Sequence, residues 1–168
     1  MKKYGWYCIL IFSILYIFSS CVKQENYPVE PQIEYLNFFL GFDTGQYAVQ
    51  GILNISFTDG DGDIGLNSNY TKPPFDTGSP YYYNYIITYF EKQQGAFVPI
   101  DLNPPFSYRI PVLNSEFPGK PIKGMISDTL ELNPYPVFDT IKFEAYIYDR
   151  ALHKSNIIST PEIILKRP

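Results

Sequence analysis

Hydrophobic and polar residues alternate along much of the chain after residue 32. Residues 53–58 and 141–148 alternate most regularly, and a period of two places the apolar positions on one face of a half-buried β-strand. Eight segments rich in β-branched and aromatic residues are predicted as strands: 33–42, 47–58, 81–92, 97–100, 106–113, 122–132, 140–149 and 156–166. Pro161 marks a break or an edge position in the last of them. Because no helical period exceeds two turns, the pattern predicts an all-β sandwich of about seven or eight strands.

Composition supports a single folded domain at residues 33–168. Aromatic residues make up 18% of the 168-residue chain, which is enough for a sizeable core, and 15 prolines argue against long helices. The net charge is −4 and no basic patch is visible, so nucleic-acid binding is not expected.

The N-terminus reads as a targeting segment. Lys2 and Lys3 precede an apolar run at residues 8–18, interrupted only by Ser13. Such a run spans only about 16 Å as a helix, against about 30 Å for the bilayer core. The pattern therefore predicts a signal peptide at residues 1–20. The alternative is a permanent membrane anchor that extends back to Tyr4.

The end of this segment, Phe18-Ser19-Ser20-Cys21, resembles the lipobox of bacterial lipoproteins, although Phe18 replaces the usual leucine. The resemblance implies cleavage before Cys21 and lipidation of its thiol by more than one acyl chain, palmitate among them, which suffices for stable anchoring. Cys8 leaves with the signal, so no internal disulfide is expected. Val22 is not the aspartate that retains such lipoproteins in the inner membrane, which implies the outer membrane, with either face possible. The polar residues 21–32 are predicted as lipidated cysteine and flexible tether.

The sequence FTDGDGDIG carries the most specific chemistry. Asp59, Asp61 and Asp63 alternate with glycines, which let the backbone turn sharply so that three carboxylates can converge. A hard cation such as Ca²⁺ suits such a set of oxygens. This is not an EF-hand, because Ile64 and Tyr70 stand where that loop requires glycine and glutamate. The alternative is a solvated Asp-Gly turn without metal.

A second motif lies near the C-terminus, where Asp149-Arg150-Ala151 is followed by Ser155-Asn156. Together with FTDGDGDIG it resembles a largely uncharacterised family of small bacterial lipoproteins with an immunoglobulin-like β-sandwich domain. The resemblance covers roughly residues 33–168 and implies a fold but no activity. Where this chain has Leu152-His153, that family more often has Gly-Asn.

The immunoglobulin order of strands predicts which loops meet. If segments 47–58 and 140–149 are strands B and F, the loops that follow them lie at the same end of the sandwich. Asp149 then adds a fourth carboxylate to the cation site. Alternatively, Arg150 neutralises the acidic loop as an ion pair and no metal is needed.

Catalysis is not expected. His153 is the only histidine and is predicted to be an exposed loop residue, and neither a nucleophile motif nor a phosphate-binding loop is present. In a strand, Tyr81, Tyr83 and Tyr85 would share one face and Tyr82 would take the other. If exposed, such rings could stack on sugars or contact a protein; alternatively they fill the core and shield the sheet.

The sequence therefore predicts a membrane-anchored, non-enzymatic lipoprotein that acts as an interaction or structural module of the cell envelope, with Ca²⁺ as a candidate stabilising ion. The alternative is a glycan-binding accessory lipoprotein of a polysaccharide-uptake system. The expected partners are the membrane, through the lipid on Cys21, and an envelope protein or glycan whose identity the sequence does not give.

Overall fold

The fold consists of strands and connecting loops. The computed structural model describes residues 26–42, 47–113, 119–132 and 136–165, and these residues contain no helix. The strands are β1 (Gln32–Phe42), β2 (Ala48–Asp59), β3 (Tyr85–Gln93), β4 (Ala96–Ile100), β5 (Ile122–Glu131), β6 (Thr140–Ile147), β7 (Ile158–Ser159) and β8 (Ile163–Ile164). In the described part of the chain, no helix is long and apolar enough to span a bilayer.

Two antiparallel sheets form a sandwich. One has three strands in the order β1-β2-β5, and the other has five, in the order β4-β3-β6-β7 with β8 also paired to β6. The first, second and fifth strands share a sheet opposite the third and sixth, which is the arrangement of immunoglobulin-like sandwiches. The predicted all-β sandwich is confirmed.

The core lies between the faces that the period-two pattern identified. Leu53 and Ile55 of β2 are fully buried, as are Ile141 and Ile147 of β6. The two sheets are joined by aromatic contacts such as that between Phe38 of β1 and Phe143 of β6, whose ring centroids lie 5.4 Å apart. Burial of these apolar side chains is the main term that stabilises the fold.

Strand β3 starts four residues later than predicted, at Tyr85. Immediately before it, Ser79 organises a turn: its hydroxyl accepts a hydrogen bond from the Tyr81 amide at 3.0 Å, and its carbonyl accepts one from the Tyr82 amide at 3.1 Å. A hydroxyl that bonds nearby backbone groups competes with the strand ladder, so the tyrosines 81–83 remain outside the sheet.

Two other predicted strands are shorter than expected. Segment 106–113 contributes only an isolated bridge, in which Tyr108 exchanges two 3.0 Å hydrogen bonds with Tyr85. Segment 156–166 is divided into β7 and β8, and Pro161 lies between them, as the predicted break requires. Residue 166 lies outside the described residues.

The long loop between β2 and β3 is organised by one arginine. The Arg109 guanidinium donates hydrogen bonds to the carbonyls of Tyr82, Tyr70 and Phe75, each at 2.7 Å, and to that of Asn67 at 3.3 Å. It also stacks on the Tyr82 ring, 4.7 Å from the centroid. Four backbone carbonyls of this one loop are thereby satisfied by one side chain that is distant in sequence.

Strand β5 is the outer strand of the smaller sheet and carries an inward-facing acid. It pairs with β2 along its 10-residue length without a register shift, and in the described chain no strand pairs with its other side. Asp128 lies opposite the buried Leu53 and therefore faces the core. Burial raises the pKa of Asp128 to about 6, although the nearby Tyr108 hydroxyl and Thr129 backbone offset part of the effect.

We expect Asp128 to make the protein less stable as the pH rises from about 4 to about 6. Because its pKa is higher in the folded chain than in the unfolded chain, the folded state holds the extra proton in this window, and that contribution is lost as the pH passes the folded pKa of about 6. After allowance for remaining solvent contact, the loss should be about 1–2 kcal/mol. Urea unfolding across this pH range should show the decrease. In Asp128→Asn, the loss of unfolding free energy between about pH 4 and about pH 6 should be smaller than in the wild type. Asp101→Asn, at an exposed position, should lose as much as the wild type does. An equally large loss in Asp128→Asn would contradict the assignment.

Candidate metal centre

Two loops meet at one end of the sandwich. The acidic loop, defined here as residues 59–65, follows β2, and the turn 149–155 follows β6. Ile64 and Asp149 form an isolated antiparallel bridge, and the Arg150 amide donates to the Asp63 carbonyl at 3.4 Å. The predicted proximity of these loops is confirmed.

The acidic loop curls around the carboxylate of Asp59. Oδ2 of Asp59 accepts hydrogen bonds from the amides of Asp63, at 2.8 Å, and Ile64, at 3.1 Å. Gly62 and Gly65 have φ angles of +69° and +115°, which side-chain-bearing residues rarely adopt. Gly62, between Asp61 and Asp63, and Gly65, at the end of the loop, therefore allow the sharp turn that the sequence motif predicted.

Three carboxylates converge on one point. Asp59, Asp63 and Asp149 each contribute an oxygen, and these three oxygens lie within 4.8 Å of one another. Asp59 and Asp149 are 0% and 1% exposed. Oδ1 of Asp59 is buried and has no hydrogen-bond partner, and the same holds for Oδ1 of Asp61 and Asp63. Asp61 is not part of the converging group of three, but it lies in the same loop with a buried, unpartnered oxygen.

Negative charge and burial dominate the electrostatics of Asp59 and Asp63. Burial, followed by the charges of Asp61 and Asp63, raises the pKa of Asp59 to about 6 against the opposing effect of its backbone hydrogen bonds. Burial also raises the pKa of Asp63, with further increases from the charges of Asp149 and Asp61. Buried carboxylates with unsatisfied oxygens are costly unless a cation or a proton compensates them.

Arg150 does not compensate the acidic loop by a direct ion pair. Its Nη1 donates to the Gly65 carbonyl at 3.2 Å. Arg150 is not a member of the ion pairs that join Lys92 to Glu162, Lys142 to Glu144 and His153 to Asp149. The positive charge of Arg150 does lower the pKa of Asp63, but the net shift of Asp63 remains upward. Arg150 therefore lies beside the acidic loop without forming the ion pair that the alternative prediction expected.

His153 is a neighbour of the centre that the sequence did not identify. Its amide and its Nδ1 lie 2.7 and 2.8 Å from the two carboxylate oxygens of Asp149. This contact, and the charge of Asp149, raise the pKa of His153. Its side chain is 40% exposed, which confirms the predicted exposed position. The spacing of four residues between Asp149 and His153 was the feature of the sequence that could have predicted this contact. Leu152, at the position where the resembling family more often has glycine, has a φ of +71°.

The N-terminal segment crosses the acidic loop. The Gly60 amide donates to the Pro28 carbonyl at 2.8 Å. A Cβ at Gly60 would lie 2.4 Å from the Tyr27 carbonyl oxygen and 2.6 Å from that of Pro28. Sequence reasoning missed this contact because residues 21–32 are polar and resemble a tether. Cys21 lies outside the described residues.

The tyrosines near residue 82 do not form the predicted strand face. Tyr85 is 0% exposed in the core, and Tyr82 packs against Arg109. The ring of Tyr81 contacts that of Tyr148 edge to face at 5.1 Å. The shared face of Tyr81, Tyr83 and Tyr85 was a wrong prediction, because only Tyr85 belongs to β3.

Comparisons with protein-family models, curated proteins and solved structures found no match for this chain. The observations therefore define only the structural class of the protein, which is an all-β sandwich with a buried carboxylate cluster where its two sheets meet at one end.

Proposed function

We propose that this chain is a lipid-anchored, non-enzymatic module of the bacterial outer membrane whose sandwich is stabilised by one bound Ca²⁺. The observation that carries the cation part is the convergence of Asp59, Asp63 and Asp149 within 4.8 Å, with Oδ1 of the fully buried Asp59 unpartnered. The Oδ1 of Asp61 is a candidate fourth ligand from the same loop.

Calcium fits this oxygen set better than magnesium does. Calcium accepts six to eight oxygen ligands in a flexible geometry, whereas magnesium demands near-ideal octahedral geometry at about 2.0–2.1 Å. Magnesium also tends to retain several waters, which a buried set of carboxylates accommodates poorly.

The role of the ion would be structural. Asp59 ends β2 in one sheet, and Asp149 follows β6 in the other, so an ion shared between them ties the two sheets together. A ligand that binds only the folded state stabilises it in proportion to the logarithm of its concentration.

The anchor part of the proposal rests on the sequence that ends in Cys21. Residues 21–27 span at most about 20 Å, so the lipid would hold the acidic-loop end of the domain near the membrane. The resemblance to immunoglobulin-like lipoproteins supports the same location.

Native mass spectrometry of the full protein from bacterial envelopes tests both parts. We expect a chain that begins at Cys21, carries acyl chains and retains one Ca²⁺, which EDTA removes. Asp101→Asn, at an exposed site remote from the acidic loop in sequence, should retain the ion. A chain that still begins at Met1 without lipid would contradict the anchor, and the absence of bound Ca²⁺ at millimolar concentration would contradict the cation site.

The glycan-binding alternative is kept because of one cleft. A cavity of about 290 Å³ beside β3 is lined by Thr88, Asp101 and Ser107 together with the Phe106 ring, a mixture of polar groups and an aromatic surface that suits one sugar ring. A glycan array would favour this function if binding were lost in Asp101→Ala.

A further inference from the structure

We propose that Ca²⁺ at the acidic loop latches the N-terminal segment onto the sandwich and thereby sets the distance between the domain and its lipid anchor. The anchor segment is defined here as residues 27–31, which precede β1. This inference rests on the proposed function, because it assigns a regulatory consequence to the same cation site.

The contact between the anchor segment and the acidic loop is unusually close. Gly60 stands between Asp59 and Asp61, and its amide donates to the Pro28 carbonyl at 2.8 Å. A side chain at this position would lie 2.4–2.6 Å from two backbone carbonyl oxygens of the anchor segment, a separation that Cβ atoms do not tolerate. The φ of Gly60 is not in the left-handed region, so the glycine is required by the close approach rather than by its backbone conformation.

The same short stretch of backbone therefore serves two contacts. Its carboxylates converge inside the loop, and its Gly60 amide points at Pro28. Without a cation, three acids that each hold one buried, unpartnered oxygen oppose the closed loop, and opening it would displace the Gly60 amide. A cation favours only the closed form, so its binding shifts the population toward the state that holds the anchor segment.

The far end of the anchor segment is fixed independently. The Asn156 side chain donates to the Ile33 carbonyl and accepts from the Ile33 amide, both at 2.8 Å. Release from Gly60 would therefore end where β1 begins, because Gln32 pairs with Thr58 and Ile33 is fastened to the turn before β7. Five residues, 27–31, would become available, which adds about 17 Å to the reach of the anchor.

Hydrogen exchange on the full lipidated protein in detergent micelles tests the latch. We expect CaCl₂, relative to EDTA, to slow exchange of the Gly60 amide and of the peptide covering residues 26–32 by at least about tenfold. The Ile33 amide, held by Asn156, should change less than about twofold and serves as the internal reference. Asp59→Asn should abolish the calcium effect.

A pair of glycine substitutions adds a matched control. Gly60→Ala should leave the anchor segment rapidly exchanging in both conditions, because the added methyl displaces it. Gly41→Ala should behave as the wild type, since a Cβ there meets ordinary contacts at 3.5 Å or more. If Gly60→Ala does not fold, the wild-type comparison alone decides.

The outcomes separate the inference from the proposed function. If Ca²⁺ binds and exchange of Gly60 and the anchor segment is unchanged, the latch is wrong and the cation site stands. If Ca²⁺ does not bind, the proposed function fails and the latch fails with it.

Discussion

Replacing Asp59 with asparagine should eliminate the calcium-dependent stabilisation while leaving the calcium-free protein at least as stable as the wild type. An asparagine Oδ1 can accept the same two hydrogen bonds that Asp63 and Ile64 donate to Asp59. The substitution removes a buried charge whose pKa is raised to about 6 by burial and by neighbouring acids, so at pH 7 the calcium-free loop is relieved of repulsion. It also removes a carboxylate from the cation site.

The two effects on stability have opposite signs, and thermal unfolding with Ca²⁺ and with EDTA measures both. At Ca²⁺ concentrations about 100-fold above Kd, the wild type should gain about 2.7 kcal/mol, or roughly 10 °C in Tm, and Asp59→Asn should gain close to nothing. In EDTA, the variant should unfold at or above the wild-type Tm. Asp101→Asn is the matched control because it removes one exposed acid. Its Tm should rise with Ca²⁺ as much as the Tm of the wild type does. Equal calcium shifts in the wild type and Asp59→Asn would exclude this carboxylate as a ligand.

Replacing Arg109 with lysine should destabilise the domain by about 2–4 kcal/mol, because hydrogen bonds from a charged donor contribute about 1.5–3 kcal/mol each and add incompletely. A lysine keeps the charge but has no planar fork, so it cannot reach the four carbonyls that Arg109 satisfies or stack on Tyr82. The carbonyls of Tyr70 and Phe75 would then need water, and the long loop between β2 and β3 would loosen.

Urea unfolding and proteolysis measure this change. The free energy of unfolding should fall, and cleavage should appear first in the long loop. Lys72→Met removes a positive charge from an exposed position of that loop and should leave stability within about 0.5 kcal/mol of the wild type. If Arg109→Lys were as stable and as protease-resistant as Lys72→Met, the carbonyl cluster would have no structural role.

The sequence predicted the sandwich well where side-chain period alone decides structure. β2 and β6 bury the alternate residues that the pattern selected, among them Leu53 and Ile147. It predicted poorly where a single polar side chain overrides the pattern. The strand expected from residue 81 is replaced by a turn because Ser79 takes the amides of Tyr81 and Tyr82.

The candidate metal centre was predictable in outline and not in detail. Glycine spacing predicted that Asp59, Asp61 and Asp63 converge, and the order of strands predicted that Asp149 joins them; Asp59, Asp63 and Asp149 do converge, and Asp61 does not belong to that group. The contacts of His153 and Pro28 depend on how the backbone enters and leaves the loops, which no periodic pattern encodes. Whether calcium occupies the centre stays a prediction.

The inward-facing Asp128 also bears on how copies of this protein behave beside each other. An outermost strand with unpaired peptide groups can recruit the same strand of another molecule, and a charge turned toward the interior discourages that addition because the new strand would seal the charge away from water. β5 has no bulge against β2, so on its core-facing side the charge of Asp128 is the main feature that opposes pairing with another copy. Protonation near pH 6 would remove this charge. We therefore expect neutral buffers to keep the protein dispersed and mildly acidic ones to promote edge-to-edge aggregation.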